Sequence, residues 1–321
     1  MPLLRFLLFP PIRLLLSVGG LLAIAYVAVC LFLLVRQNRF IFFPSKTVES
    51  TPAEAGLSYQ DVWLPIGNST QAGRIHSWWL PSQHHRSLKP QDRVLIYLHG
   101  NSGNVGDNIW HAKRFHQLGF SVFLVDYRGY GLSEGEFPTE TQVYQDAEVA
   151  WNYLTQQQQV LPEQIFLYGH SLGGAIAIDL AVRQPQAAGL IVQGSFTSIR
   201  EMADWTGGYD LIPIDLVLNQ RFDSINKVKS LQMPVFFIHG INDDAVPSHM
   251  SQTLHAVAPE PKQLWLVPEA GHVNVADVAG PEYLEMVQQF VENVESNRTA
   301  NQPFSQANRS LAARFTPGRV F

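Results

Sequence analysis

The chain of 321 residues has one cysteine, Cys30. It can therefore form no intramolecular disulfide and no cysteine-based metal site, and cysteine usage does not report its redox compartment. Charge is scarce as well: Asp, Glu, Lys and Arg make up 15% of the residues, and the net charge is −5. A surface that holds nucleic-acid phosphates needs a marked excess of Lys and Arg, so nucleic acid is not an expected partner. There is no internal repeat, and the only low-complexity stretch is the short run Gln156 to Gln159, which reads as a solvated helix end. No cluster of ligating side chains stands out, so neither a metal nor an organic cofactor is implied. What is abundant is apolar: 46% of the residues are hydrophobic, which excludes disorder over most of the length. The length allows one large single-core domain with extensions.

The longest uncharged run lies near the N-terminus, from Leu14 to Val35. At 1.5 Å per residue a helix of that length crosses a bilayer core of about 30 Å. Arg13 and Arg36 bracket it, and Pro10 and Pro11 are expected to interrupt any helix before it, leaving residues 1–13 as a flank. A cleaved signal peptide is the rival reading, because Ala23-Ile24-Ala25 resembles a cleavage site. The apolar run continues to Val35, however, and Val29 is too branched for Cys30 to suit lipid modification. An uncleaved, single-pass membrane anchor is the expectation. Arg5 and Arg13 on one side and Arg36, Arg39 and Lys46 on the other nearly balance, so the flanking charges do not fix its orientation. Residues 36–46 read as a juxtamembrane link.

Beyond the link, short runs of Val, Ile, Leu and Phe alternate with helical stretches. The runs are Arg93 to Leu98, Ser121 to Val125, Gln164 to Tyr168, Leu190 to Gln193, Val235 to Ile238 and Gln263 to Val267. Continuous apolar runs are what strands look like when both faces of a parallel sheet are covered. Helices are expected at Trp110 to Leu118, Thr139 to Gln157, Ser171 to Arg183, Ser248 to Val257 and Glu282 to Val294. The alternation predicts an α/β, doubly wound domain over 47–296. Residues 196–231 break the rhythm and read as a small cap over the sheet's carboxyl edge. Its Leu211 to Ile214 and Leu216 to Leu218 segments could line an acyl channel or simply pack the cap. Residues 297–321 carry Arg298, Arg309, Arg314 and Arg319 but no acid, and are expected to be a disordered tail.

The chemistry concentrates in four loops. Gly169-His170-Ser171-Leu172-Gly173 matches G-x-S-x-G between a predicted strand and a predicted helix. That is the sharp turn which lifts a serine oxygen above a sheet edge. Glycine at 169 and 173 is required because a Cβ there would meet neighbouring backbone. An unaided serine hydroxyl is a poor nucleophile and needs a base that an acid orients. The loop His239 to Pro247, with Asp243 and Asp244, and the loop Pro268 to His272 each follow a strand. Both therefore open onto the edge that carries Ser171. The oxyanion of an acyl-transfer intermediate needs two backbone N–H donors; Leu172 and Asn101, in the loop His99 to Asn104, are the candidates. His99, His239 and His170 read as structural or incidental.

Together with Asp126 to Gly135, Phe196 to Ser198 and Arg221 to Ser224, these segments resemble the α/β-hydrolase superfamily, in its branch of membrane-anchored and serine-aminopeptidase-like hydrolases. The resemblance spans roughly residues 40 to 295. It implies the α/β-hydrolase fold, with a mostly parallel eight-stranded sheet, and a Ser171–Asp243–His272 triad, since the pattern H-G-x-x-D-x-x-V-P places the catalytic acid on Asp243. It implies a serine hydrolase that cleaves an acyl ester, thioester or amide without a cofactor. A serine aminopeptidase-like peptidase and a non-catalytic binding protein that keeps the fold are the alternatives. It also implies a loop-shaping role for Asp126 to Gly135, with Arg128 in a structural ion pair. Two departures weaken any transfer of a particular substrate. Some anchored relatives that remove palmitate from proteins are held by an N-terminal cysteine cluster absent here. His272 is followed by Val273-Asn274, where many relatives carry Asn-Asp.

Overall fold

A computed structural model describes residues 10–67, 73–82 and 92–301. Its centre is one eight-stranded sheet built from Gln60–Pro65 (β1), Arg74–Leu80 (β2), Arg93–Leu98 (β3), Phe120–Val125 (β4), Ile165–His170 (β5), Gly189–Gln193 (β6), Val235–Gly240 (β7) and Lys262–Val267 (β8). The strand order is β1-β2-β4-β3-β5-β6-β7-β8. The β1–β2 and β2–β4 pairs are antiparallel, and the others are parallel. Every residue of β4, β6 and β7 is buried, as the unbroken apolar runs predict. The antiparallel β1–β2 pair has no such run. His76 and Ser77 lie buried within β2, and the His76 ring is held by Asp61 of β1 at 2.7 Å. Polar residues in core positions hide β2 from a reading based on hydrophobic runs, and the edge strand β1 alternates buried with exposed residues and has no run to show.

The helices, in chain order, are Pro10–Arg36 (α1), Asn38–Ile41 (α2), Ile109–Gln117 (α3), Glu140–Asn152 (α4), Leu172–Arg183 (α5), Ile199–Thr206 (α6), Ile214–Val217 (α7), Ser224–Lys227 (α8), His249–Val257 (α9), Val275–Ala279 (α10) and Pro281–Asn301 (α11). Parallel pairing brings the carboxyl ends of β3, β5, β6, β7 and β8 to one edge. Leu98 of β3 stands beside Gly169 of β5, and Gly240 of β7 beside Val267 of β8. The loops that follow these strands are therefore neighbours in space, as the reading of the four loops requires.

Four boundaries differ from the sequence reading. The long apolar helix begins at Pro10 rather than after the two prolines. Proline is favoured in the first turn, where its missing N–H has no intrahelical acceptor to lose. Residues 36–46 are not a free link. They form α2 and a two-residue parallel bridge, Phe43–Pro44 with Ser102–Gly103, and Phe42 is 1% exposed in the main core. The cap narrows to α6 and α7, because Phe222, Val228 and Leu231 of the expected cap are core residues. At the C-terminus α11 runs through 297–301, while residues 302–321 of the expected tail lie outside the described residues, as do residues 1–9 of the flank.

Candidate active site

The turn from β5 into α5 places Ser171 with φ of 54°, a left-handed conformation that a residue with a side chain rarely adopts. Such strain persists only where the surroundings over-determine it, and here they do. The Ser171 N–H donates to the Gln193 carbonyl at 2.9 Å, while the Ser171 carbonyl accepts from Ser195 Oγ at 2.9 Å and from the Gly174 N–H at 2.9 Å. A Cβ at 169 would run into the Gly173 carbonyl, and one at 173 into the Leu98 carbonyl. Both glycines are therefore fixed by close backbone approach.

Asp243 lies in the loop after β7 and is buried, whereas Asp244 is exposed. Asp243 Oδ1 accepts the N–H groups of Ala245 and Val246 at 2.9 and 2.8 Å. Its Oδ2 faces His272 Nδ1 at 2.7 Å and His239 Nε2 at 3.0 Å. Burial alone would raise the pKa of this carboxyl, but the hydrogen bonds from His239, His272 and the Val246 N–H outweigh it and hold the pKa below the usual carboxylate range. Asp243 is thus an ionised acceptor. His239 Nε2 faces two acceptors, Asp243 and the Val246 carbonyl at 2.9 Å, so that nitrogen carries the proton, and Nδ1 accepts from Ser251 Oγ at 2.7 Å. His239 is therefore a positioning residue that aims Asp243.

His272, in the loop after β8, lines the same cavity as Ser171. Its ring rests 4.9 Å, centroid to centroid, from that of His170, and its carbonyl accepts from His170 Nε2 at 3.0 Å. Sequence reading gave His170 no necessary role; in the structure it braces the His272 loop. Burial, and then the charge of His272, push the His170 pKa down to about 3. The sign follows from linkage. An unfolded histidine binds its proton near pH 6.5 and the folded one only near 3, so stability falls as pH drops through that window, by up to about 1.4 kcal/mol per pH unit. In His170→Phe the urea midpoint is expected to decline less steeply between about pH 6.5 and 4 than in the wild type. Parallel declines would show that His170 takes up its proton without cost in the folded state.

Asn101 and Leu172 both line the cavity. Leu172 opens α5, so its N–H has no intrahelical acceptor and points where the positive end of the helix dipole lies. The Asn101 loop is clamped from three directions. Its carbonyl accepts from the Phe43 N–H at 2.8 Å and from Tyr130 Oη at 2.6 Å, and its side-chain amide donates to the Ile41 carbonyl at 3.1 Å. Tyr127 Oη adds a bond to the His99 carbonyl at 2.9 Å. The Asp126 to Gly135 loop therefore braces the loop after β3. Within it Arg128 pairs with Asp146 at 2.6 Å, an ion pair buried on both sides. His99, with Nε2 3.1 Å from Asp126 Oδ1, is part of this bracing. Sequence reading missed the contribution of residues 37–43 altogether, since no local motif marks a segment whose partners are far away in the chain.

The cavity has a volume of about 370 Å³, within the range of small-molecule sites. Apolar side chains form most of its lining, many of them from α6, α7 and the loop between them, and the lining contains no Asp, Glu, Lys or Arg among the described residues.

Comparison with known proteins identifies the family and the fold. A family model described as serine aminopeptidase, S33, matches residues 89–225. The chain is 34% identical over 280 residues to the uncharacterized protein Rv2307c of Mycobacterium tuberculosis, covering 86% of this chain and 94% of that protein. It is 28% identical over 274 residues to the uncharacterized protein YfhR of Escherichia coli K12, covering 83% and 91%, and 27% identical over 299 residues to protein bem46 of Schizosaccharomyces pombe, covering 89% and 96%. Among solved structures, the Pyrococcus furiosus esterase Pf2001 superposes with a TM-score of 0.59 at 20% identity, covering 79% of this chain and 97% of that one. That likeness concerns the fold.

Proposed function

For a chain that belongs to the α/β hydrolases of the serine aminopeptidase (S33) kind, as this one does, we propose the activity of a membrane-anchored serine hydrolase that cleaves an acyl ester, thioester or amide. The observation that carries the reading is the buried Asp243 carboxylate bonded at 2.7 Å to a histidine that shares one cavity with the Ser171 elbow. Asp243 fixes the His272 proton on Nδ1 and leaves Nε2 free to take the Ser171 proton. Ser171 Oγ attacks the acyl carbon, and the negative oxygen that forms is received by the N–H groups of Leu172 and Asn101. His272 then passes its proton to the leaving group, and water releases the acyl group by the same steps in reverse roles.

The cavity favours an apolar acyl group over a peptide N-terminus. Recognition of a protonated amino group calls for a carboxylate, and the described lining offers none. The anchor is α1. Its stretch Leu14–Arg36 is long and apolar enough to cross a membrane, with a mean hydropathy of 2.7. Most of its large side chains are exposed, unlike those of a core helix, and Leu33 and Leu34 are half-buried.

An active-site-directed fluorophosphonate is expected to label the wild type and to leave Ser171→Ala unlabelled, with ester turnover abolished in the variant. Labelling of both proteins alike would remove Ser171 from the mechanism.

A further inference from the structure

The hydrolase domain does not close the cavity above Ser171 by itself. Leu33 of α1 and Phe40 of α2 line it together with Met202, Ile212, Ile214 and Val217 of the cap. The long helix and the cap are joined at two levels. Gln37 Oε1 accepts the N–H groups of Asn219 and Gln220 at 2.8 and 2.9 Å, and Gln37 Nε2 donates to the Val217 carbonyl at 3.1 Å. Further back along α1, Tyr26 Oη donates to the Leu211 carbonyl at 2.8 Å. The rise from Tyr26 to Gln37 is about 16 Å, roughly half the hydrocarbon thickness of a bilayer. A cap tied to α1 over that distance lies beside the stretch of helix that is apolar enough to be in lipid.

The outward face of the cap suits such a place. Leu211 is 84% exposed and Leu216 83% exposed, and Trp205 shows nearly half its surface. The charged side chains nearby are largely paired, Arg200 with Asp204 and with Asp215. Asp210, exposed next to Leu211, limits how deep the tip can go, because a lone carboxylate is costly in hydrocarbon. These exposures suit a place for the tip at the boundary between headgroups and chains.

We propose that the site takes the acyl chain of a membrane lipid ester, which enters sideways from the bilayer between α1 and the cap, and that Leu33 sets part of the chain-length limit. The inference rests on the Ser171 hydrolase reading. An acyl chain that passes from lipid into an apolar cavity exchanges one apolar surrounding for another. The same chain drawn through water would face a penalty of about four-fold in equilibrium for each methylene exposed. The anchor helix is then a wall of the binding site as well as a means of attachment.

The test uses the full chain in phosphatidylcholine vesicles, with palmitoyl and butyryl p-nitrophenyl esters as substrates. Leu33→Trp is expected to lower the palmitate-to-butyrate ratio of kcat/KM at least ten-fold. Leu22→Trp, at a position on the same helix that is 66% exposed, is expected to keep the wild-type ratio. An unchanged ratio in Leu33→Trp, with Ser171 still labelled by fluorophosphonate, overturns lateral entry along α1 and leaves the hydrolase reading standing. A wild type that is neither labelled nor active overturns both. A second measurement needs no variant: the wild type is labelled with a long-chain alkyl fluorophosphonate carrying a terminal diazirine, and then irradiated. Cross-links are expected in peptides from 31–41 or 199–218. Cross-links confined to other segments overturn the proposal.

Discussion

Asp243→Asn is expected to lower turnover by about four orders of magnitude, the scale on which loss of the orienting carboxylate acts in a Ser-His-Asp triad, whereas Asp244→Asn is expected to stay within about three-fold of the wild type, as surface changes generally do. The large effect follows from how the carboxylate is gripped. Its Oδ1 receives two backbone N–H groups, from Ala245 and Val246, and only the amide oxygen of an asparagine can accept both. The amide NH2 must then occupy the Oδ2 position, facing His272 Nδ1 and the protonated Nε2 of His239. A donor placed there makes Nδ1 an acceptor and moves the His272 proton to Nε2, the nitrogen that has to take the proton of Ser171. The His239 proton meets a second donor and keeps only the Val246 carbonyl as its acceptor. Steady-state kcat on a short-chain ester reads the effect. A larger loss in Asp244→Asn than in Asp243→Asn would place the acid on the neighbouring residue.

The second large effect concerns the N-terminal segment. A form of the protein that begins at Ser45 is expected to lose at least about a hundred-fold in turnover of a soluble short-chain ester, the cost typical of one lost oxyanion donor. A form that begins at Arg36 should stay within about ten-fold of the full chain. Removal of residues up to 44 takes away the Phe43 N–H that holds the Asn101 carbonyl and the Ile41 carbonyl that holds its side-chain amide. It also takes away Phe42, buried against Phe137 and Phe222, and deleting a buried aromatic side chain costs about 3–5 kcal/mol. The Arg36 form keeps all of these contacts and loses only the long helix. Kinetics on a water-soluble ester, with a urea melt of each form, would separate loss of the site from loss of the fold. Equal rates in the two forms would mean that residues 36–44 act as a plain tether.

How much of this was legible in the sequence depends on how far apart the interacting residues are. The turn at Ser171 is local. Gly169, Ser171 and Gly173 occupy one tight turn, and the strain there demands particular residue types at fixed spacing. The α/β architecture was legible for a similar reason, since strands covered on both faces must be apolar throughout and helices between them must be amphipathic. Resemblance to the hydrolase pattern chose Asp243 over Asp244; the structure adds why, by burying one carboxylate under four donors and exposing the other. The strand Arg74–Leu80 is not legible because His76 and Ser77 put polar atoms where the pattern calls for aliphatic ones, and the edge strand Gln60–Pro65 because it is buried only at alternate residues.

The sequence by itself determined the tight turn at Ser171, the buried parallel strands of the sheet and the presence of a helix long enough to cross a bilayer. Each of these is a property of a short stretch of chain, because spacing and polarity within a few residues suffice to impose it. Only the tertiary structure decided what encloses the site. The bonds from Gln37 to Val217, Asn219 and Gln220 join positions separated by 180 to 183 residues, and a glutamine is compatible with many surroundings, so nothing near it announces its partners. Which helix becomes a wall of the cavity is fixed by how the whole chain packs, and that packing turns an apparent tether into part of the site.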